Sequence, residues 1–121
     1  MSEIWTIDRH LEAGSDEGRA LFHRFVDIVA ACGDYTTSVA KTTITFKGPR
    51  RGFAGARPNH DRLQGYFDLT HRVDDPRVRS ASPYQKDLFV HHFRLDAVEQ
   101  MDDEFSRWIA DAYDQVGCGN R

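Results

Sequence analysis

The apolar residues of this chain repeat with two different periods, and the changes of period divide it into three parts. Leu21, Phe22, Phe25, Val26, Val29 and Cys32 recur at helical spacing. Ser15 is placed to cap that helix, Asp16 and Glu17 sit favourably against its dipole, and Gly33 supplies the stop. Near the other end, Phe105, Trp108, Ile109, Ala112, Tyr113 and Val116 form a second helical stripe, capped by Asp102 or Asp103 and closed by Gly117. Between the two the period falls to two.

In that middle part Ile44 and Phe46 alternate with Thr43, Thr45 and Lys47. Gly48-Pro49-Arg50-Arg51-Gly52 has the composition of a turn, and Phe53 to Arg57 returns as a strand. From Leu63 to Arg72, the residues Leu63, Gly65, Phe67, Leu69 and His71 share one face; Gln64, Tyr66, Asp68, Thr70 and Arg72 share the other. From Leu88 to Leu95, Phe89, His91, Phe93 and Leu95 oppose Val90, His92 and Arg94. Val73 to Tyr84, with two Asp and two Pro, reads as a loop. Ile4-Trp5-Thr6-Ile7 reads as an edge strand or a packing anchor.

Neither helix is stable alone in water, and a sheet with one apolar face needs a cover. The pattern therefore predicts an α+β fold: an antiparallel meander of four to five strands, N- and C-terminal helices packed on one face, the other face polar. A length of 121 residues suits a single domain over 1–121. Within it, 15–116 is the expected core, 1–14 an N-terminal extension and 117–121 a flexible tail. No run approaches the roughly 20 apolar residues of a membrane helix, and no signal-peptide pattern opens the chain. A soluble cytoplasmic protein with no membrane partner is expected. The two cysteines, Cys32 and Cys118, make neither a disulfide framework nor a zinc spacing. No metal or cofactor is expected.

Charge sharpens this outline. The formal net charge is −3, but it is unevenly spread. Residues 1–40 carry three basic and seven acidic groups, 41–94 carry eleven and five, and 95–121 carry two and seven. A basic sheet is thus set between two acidic helices. Arginine outnumbers lysine 13 to 3, and its planar fork suits phosphates and carboxylates. A genome rich in Arg codons would give the same excess.

Two constellations could carry function. On the polar sheet face Thr43, Thr45, Lys47, Tyr66, Asp68, Thr70, Arg72, His92 and Arg94 project together, with Arg50 and Arg51 at the rim. The candidate binding set is Lys47, Arg50, Arg51, Tyr66, Arg72, His92 and Arg94, whose donors and hydroxyls suit an anion. The plainer reading is a solvated sheet face. The second constellation is His71 and His91, which alternation turns towards the helices. They would serve as general base or ligand in a pocket, or as hydrogen-bonded core residues, or, for His71 at the strand end, would simply be exposed. No catalytic nucleophile, phosphate-cradling glycine loop or metal cluster is recognisable. The expected function is a non-catalytic binding module for an anionic partner: a nucleic acid, a nucleotide or an acidic protein surface. The alternative is a small enzyme or small-molecule binder with a His71/His91 pocket. Docking of the aromatic N-terminus on a neighbour would instead give a homo-oligomer.

The order of these features resembles one family. A first helix ends near Cys32-Gly33, a Thr-rich strand runs to Phe46, and Phe53-Ala54 follows. A strand through Phe67 and Leu69, the His-bearing strand His91 to Leu95, and a final helix with Trp108 and Ala112-Tyr113 complete it. This is similar to the bacterial family catalogued as domain of unknown function 5655, over roughly residues 15–116. The resemblance implies an α+β fold and brings no activity, cofactor or catalytic residue with it. The closing Ala112-Tyr113 helix is also similar to the MmcQ/YjbR proteins, a group linked to DNA binding, which implies nucleic acid by analogy only.

Overall fold

Residues 5–119 are described by a computed structural model. Thr6 and Ser15 open two helices by the same device. The Thr6 hydroxyl accepts from the Arg9 N–H at the start of α1 (Ile7–Glu12), and the Ser15 hydroxyl accepts from the Gly18 N–H at the start of α2 (Asp16–Cys32). The segment expected as an edge strand or anchor is therefore the entry to a helix; Ile4 lies outside the described residues. Asp102 caps α3 (Asp103–Ala112) through the Phe105 N–H, and a π-helical turn follows at Tyr113–Gly117.

The strands are β1 (Thr36–Val39), β2 (Ile44–Lys47), β3 (Gly52–Asn59), β4 (Arg62–Leu69), β5 (Val78–Gln85) and β6 (Leu88–Leu95). They form one six-stranded sheet in the order β1-β2-β3-β4-β6-β5, and every neighbouring pair is antiparallel. The sheet thus exceeds the expected four to five strands. Both additions are edges. β1 buries no side chain, so it carries no alternation to detect. β5 contains Pro83 and two register shifts against β6, features an edge strand tolerates because one of its sides needs no ladder. Its insertion beyond β6 also breaks the simple meander.

α2 packs on β3 and β4, and α3 on β4. The core between them is aromatic. Phe25 stacks on Phe93 at 5.7 Å, Phe93 meets Phe105 edge-on at 5.3 Å, and Phe67 stacks on Trp108 at 5.8 Å. Each fully buried ring contributes about 1.5–3 kcal/mol over an exposed one. His10, 2% exposed on α1, places Nε2 2.7 Å from the Ala40 carbonyl and so ties α1 to the β1–β2 turn.

The connection from β4 to β5, residues 70–77, is held by Arg77. Its Nε and Nη2 donate to Asp75, its Nη1 to Asp102 and to the Gln100 carbonyl, and its Nη2 also to Glu104. The guanidinium lies over the Trp108 ring at 4.6 Å. One cation thereby fixes the crossover to the cap and first turn of α3. Among the described residues, no helix is long and apolar enough to cross a membrane.

Candidate functional site

α2 and α3 cover one face of the sheet, and among the described residues the opposite face carries the outward side chains of the strands. The strand register lines up its side chains in rows. Thr45, Gly55, Tyr66, His92 and Ser80 stand opposite one another across β2, β3, β4, β6 and β5. Arg57, Gln64 and Arg94 form the adjacent row. Arg79 belongs to neither, because it is the extra residue where β5 shifts register between Val78 and Ser80. A bulge of this kind re-aims a side chain, and Arg79 joins the lining of the same groove as Arg57 and Arg94.

That groove encloses about 480 Å3 and is lined by Thr42, Thr43, Arg57, Gln64, Gly65, Tyr66, Arg79, His92, Phe93 and Arg94. None of these residues is acidic. Arg57, Arg79 and Arg94 take part in no ion pair among the described residues. A second depression, about 590 Å3, is lined by Thr45, Lys47, Arg51, Gly52, Tyr66, Asp68 and Val90. Arg51 Nη1 reaches the Gln85 side chain at 3.3 Å, linking the β2–β3 turn to the far edge of the sheet.

Tyr66 lines both depressions. Its ring extends over Gly55, where a Cβ would lie 2.5 Å from Cε1, and its hydroxyl sits 3.2 Å from the Thr45 hydroxyl. The His92 ring lies 6.3 Å away. Burial pushes the phenol pKa up, against the hydrogen bond with Thr45, and the nearby Asp68 carboxyl adds to the rise. At neutral pH Tyr66 is accordingly an uncharged hydroxyl.

Among the residues expected to bind, Tyr66, His92 and Arg94 meet in the first groove, and Lys47, Arg51 and Tyr66 in the second. Arg50 and Arg72 line neither. Arg50 is exposed in the turn, its backbone N–H bonded to the Gly117 carbonyl at 2.8 Å. Arg72 is exposed beyond the end of β4 and donates to the Ala81 carbonyl at 2.8 Å. Arg57 and Arg79 were not anticipated. Continued alternation from Ala54 and Ala56 would have turned Arg57 outward, whereas no sequence signal marks the bulge at Arg79.

The two inward histidines fare differently from one another. His91 is fully buried and stacks on Phe67 at 4.9 Å. Its Nε2 accepts from the Val73 N–H at 2.9 Å, so Nδ1 carries the proton and donates to the Phe89 carbonyl at 3.1 Å. Burial lowers its pKa, outweighing the backbone hydrogen bonds. It is a satisfied core residue and lines neither depression. His71 is exposed, because β4 ends at Leu69 and alternation does not carry beyond it. Among the described residues no three His, Cys, Asp or Glu side chains group as a metal site.

An antiparallel sheet with helices on one face and a basic groove on the other defines the architecture in which this chain falls. The chain belongs to the family described as Domain of unknown function (DUF5655), which it matches over residues 7–116, from the start of α1 to the end of the apolar stripe of the last helix. No curated protein and no solved structure matches it.

Proposed function

We propose that this protein is a binding module for an anionic partner, held on the open face of the sheet. The observation that carries the reading is the gathering of Arg57, Arg79 and Arg94, from three different strands, around one groove with no carboxylate in its lining. Within that groove the three guanidinium groups have no carboxylate beside them, Asp96 standing in the adjoining depression that Arg79 and Arg94 also border, and an anion in the groove accepts charge-assisted hydrogen bonds from them. Thr42, Thr43 and Tyr66 supply further hydroxyl donors to the same groove. Most of the acidic groups described in residues 1–40 and 95–121 lie on the helices (Asp8, Glu12, Asp16, Glu17, Asp27, Asp103, Glu104 and Asp111), whereas Asp96 borders a neighbouring depression with Arg79 and Arg94. An approaching anion is therefore steered to the sheet and away from the helices.

Calorimetric titration with inorganic tripolyphosphate at low salt tests the reading. The wild type is expected to bind, and the Arg57→Ala/Arg79→Ala/Arg94→Ala variant to bind at least about ten-fold more weakly, a difference of about 1.4 kcal/mol. Equal affinity in the two proteins would contradict it.

A further inference from the structure

We infer that the anion is single-stranded nucleic acid, laid along the strands with one base on Tyr66; the inference rests on the anion-binding reading above. Cations stand on both sides of Tyr66 along the strands. Lys47 and Arg51 line one depression, together with Asp68, and Arg57, Arg79 and Arg94 line the other. Lys47 pairs with Gly52, and Arg57 lies five residues further along the same strand, β3, about 17 Å away. A lone phosphate or a triphosphate occupies one such cluster, whereas two separated clusters suit an anion whose charges repeat along a chain.

What lies between the clusters separates nucleic acid from other polyanions. Tyr66 is the residue the two depressions share, and its ring rests over Gly55 with the His92 ring 6.3 Å away. Tyr66 is part-buried and borders both depressions, so part of its ring is open to them. A base stacks on such a ring whatever its identity, because every base has a π-face. An acidic polypeptide offers the charges without that flat surface. In a duplex the base faces are already covered, and what lines this side of the sheet, among the described residues, is strand side chains rather than a helix that could enter a major groove. The phosphates would then run over the guanidinium groups on either side of the stacked base, giving an affinity that falls with salt.

Fluorescence anisotropy with a labelled ten-nucleotide thymidine oligomer, on the full chain at low salt, tests the inference. The oligomer is expected to bind more tightly than a duplex of the same length, and Tyr66→Ala to weaken it about ten-fold. Tyr66→Phe, which keeps the ring, should retain most of the oligomer affinity, and tripolyphosphate, which loses only a hydroxyl donor in either variant, should be weakened no more by Tyr66→Ala than by Tyr66→Phe. His92→Ala, at an exposed position, provides an independent variant expected to weaken the oligomer several-fold. An oligomer affinity indifferent to both Tyr66→Ala and His92→Ala overturns the inference. So does a duplex that binds equally well, thymidine triphosphate that competes as strongly per molecule, or polyglutamate that binds in the oligomer's place. If tripolyphosphate binds and the oligomer does not, the inference fails and the anion-binding reading stands; if neither binds, both fail.

Discussion

Tyr66 reaches across β3 to Thr45 because residue 55 has no side chain: a Cβ on Gly55 would lie 2.5 Å from Tyr66 Cε1 and 3.0 Å from the Ile44 carbonyl. The backbone there cannot yield without disturbing the pairing of β2 with β3. Gly55→Ala is therefore expected to lift the tyrosine ring, break its contact with Thr45 and cost about 1–3 kcal/mol, the usual range for overpacking. Urea unfolding gives the stability. Tripolyphosphate titration should show weaker binding at the rearranged groove, and an unchanged affinity with unchanged stability would count against the role assigned to this pair.

Arg77 concentrates the crossover in one side chain. Its side chain is 13% exposed, and it bridges Asp75, Asp102 and Glu104 while lying over Trp108. Its neighbours feel the same contact: hydrogen bonding to Arg77 holds the Asp75 carboxyl below the usual range, and the Asp102 carboxyl is held down first by the Phe105 N–H and then by Arg77. Asp102 and Glu104 are largely solvated, so only part of this network carries the cost of a buried charge. Arg77→Ala should destabilise by about 2–3 kcal/mol, and Arg77→Lys should restore less than half of that, because a lysine cannot reproduce the fork. Denaturant midpoints of the two variants decide it.

Stability should also fall in two stages with acid. His91 is held neutral in the fold, its pKa below the ordinary 6.5. As pH drops through 6.5 the unfolded chain takes up a proton that the folded chain refuses, so unfolding becomes easier until the lowered folded value is passed. Asp75 and Asp102 act lower. Their stabilisation is complete above the ordinary 3.8 and is lost as pH falls through their depressed folded values. Thermal midpoints measured from pH 7 to pH 2 should show both stages. His91→Gln should remove the first and leave the second.

The β3–β4 turn is wedged against α2 at Gly18. A Cβ on Gly18 would lie 2.2 Å from the His60 carbonyl, which also accepts from the Ser15 hydroxyl at 3.0 Å and the Ser15 N–H at 2.9 Å. Gly18→Ala improves helix propensity by about 0.8–1 kcal/mol, yet the clash is with backbone and should win, giving a net loss of about 1–2 kcal/mol. A raised thermal midpoint would mean that the turn gives way more easily than the contacts suggest.

Much of the fold was legible because burial and period agree. Phe25, Phe67, Phe93 and Phe105 announce their faces by spacing alone, and Ser15 and Asp102 announce their helices by chemistry. The two edge strands were not legible for physical reasons. Thr36–Val39 is exposed except at Val39, which is part-buried against the core, and Val78–Gln85 is bulged and carries a proline. The missed half of the groove follows from this. Arg79 sits on the strand read as a loop, and its direction is set by a bulge that only the pairing with β6 reveals. Alternation likewise located His91 inside, but whether its nitrogens were free depended on Val73 folding back over it, a contact 18 residues away in sequence.

The most direct measurement is amide chemical-shift mapping on the isotopically labelled chain titrated with the thymidine oligomer. Shifts are expected to concentrate at Thr45, Gly55, Arg57, Tyr66, Arg79, His92 and Arg94, with α2 and α3 silent. Shifts confined to the helices, or scattered without regard to the open face, would contradict it.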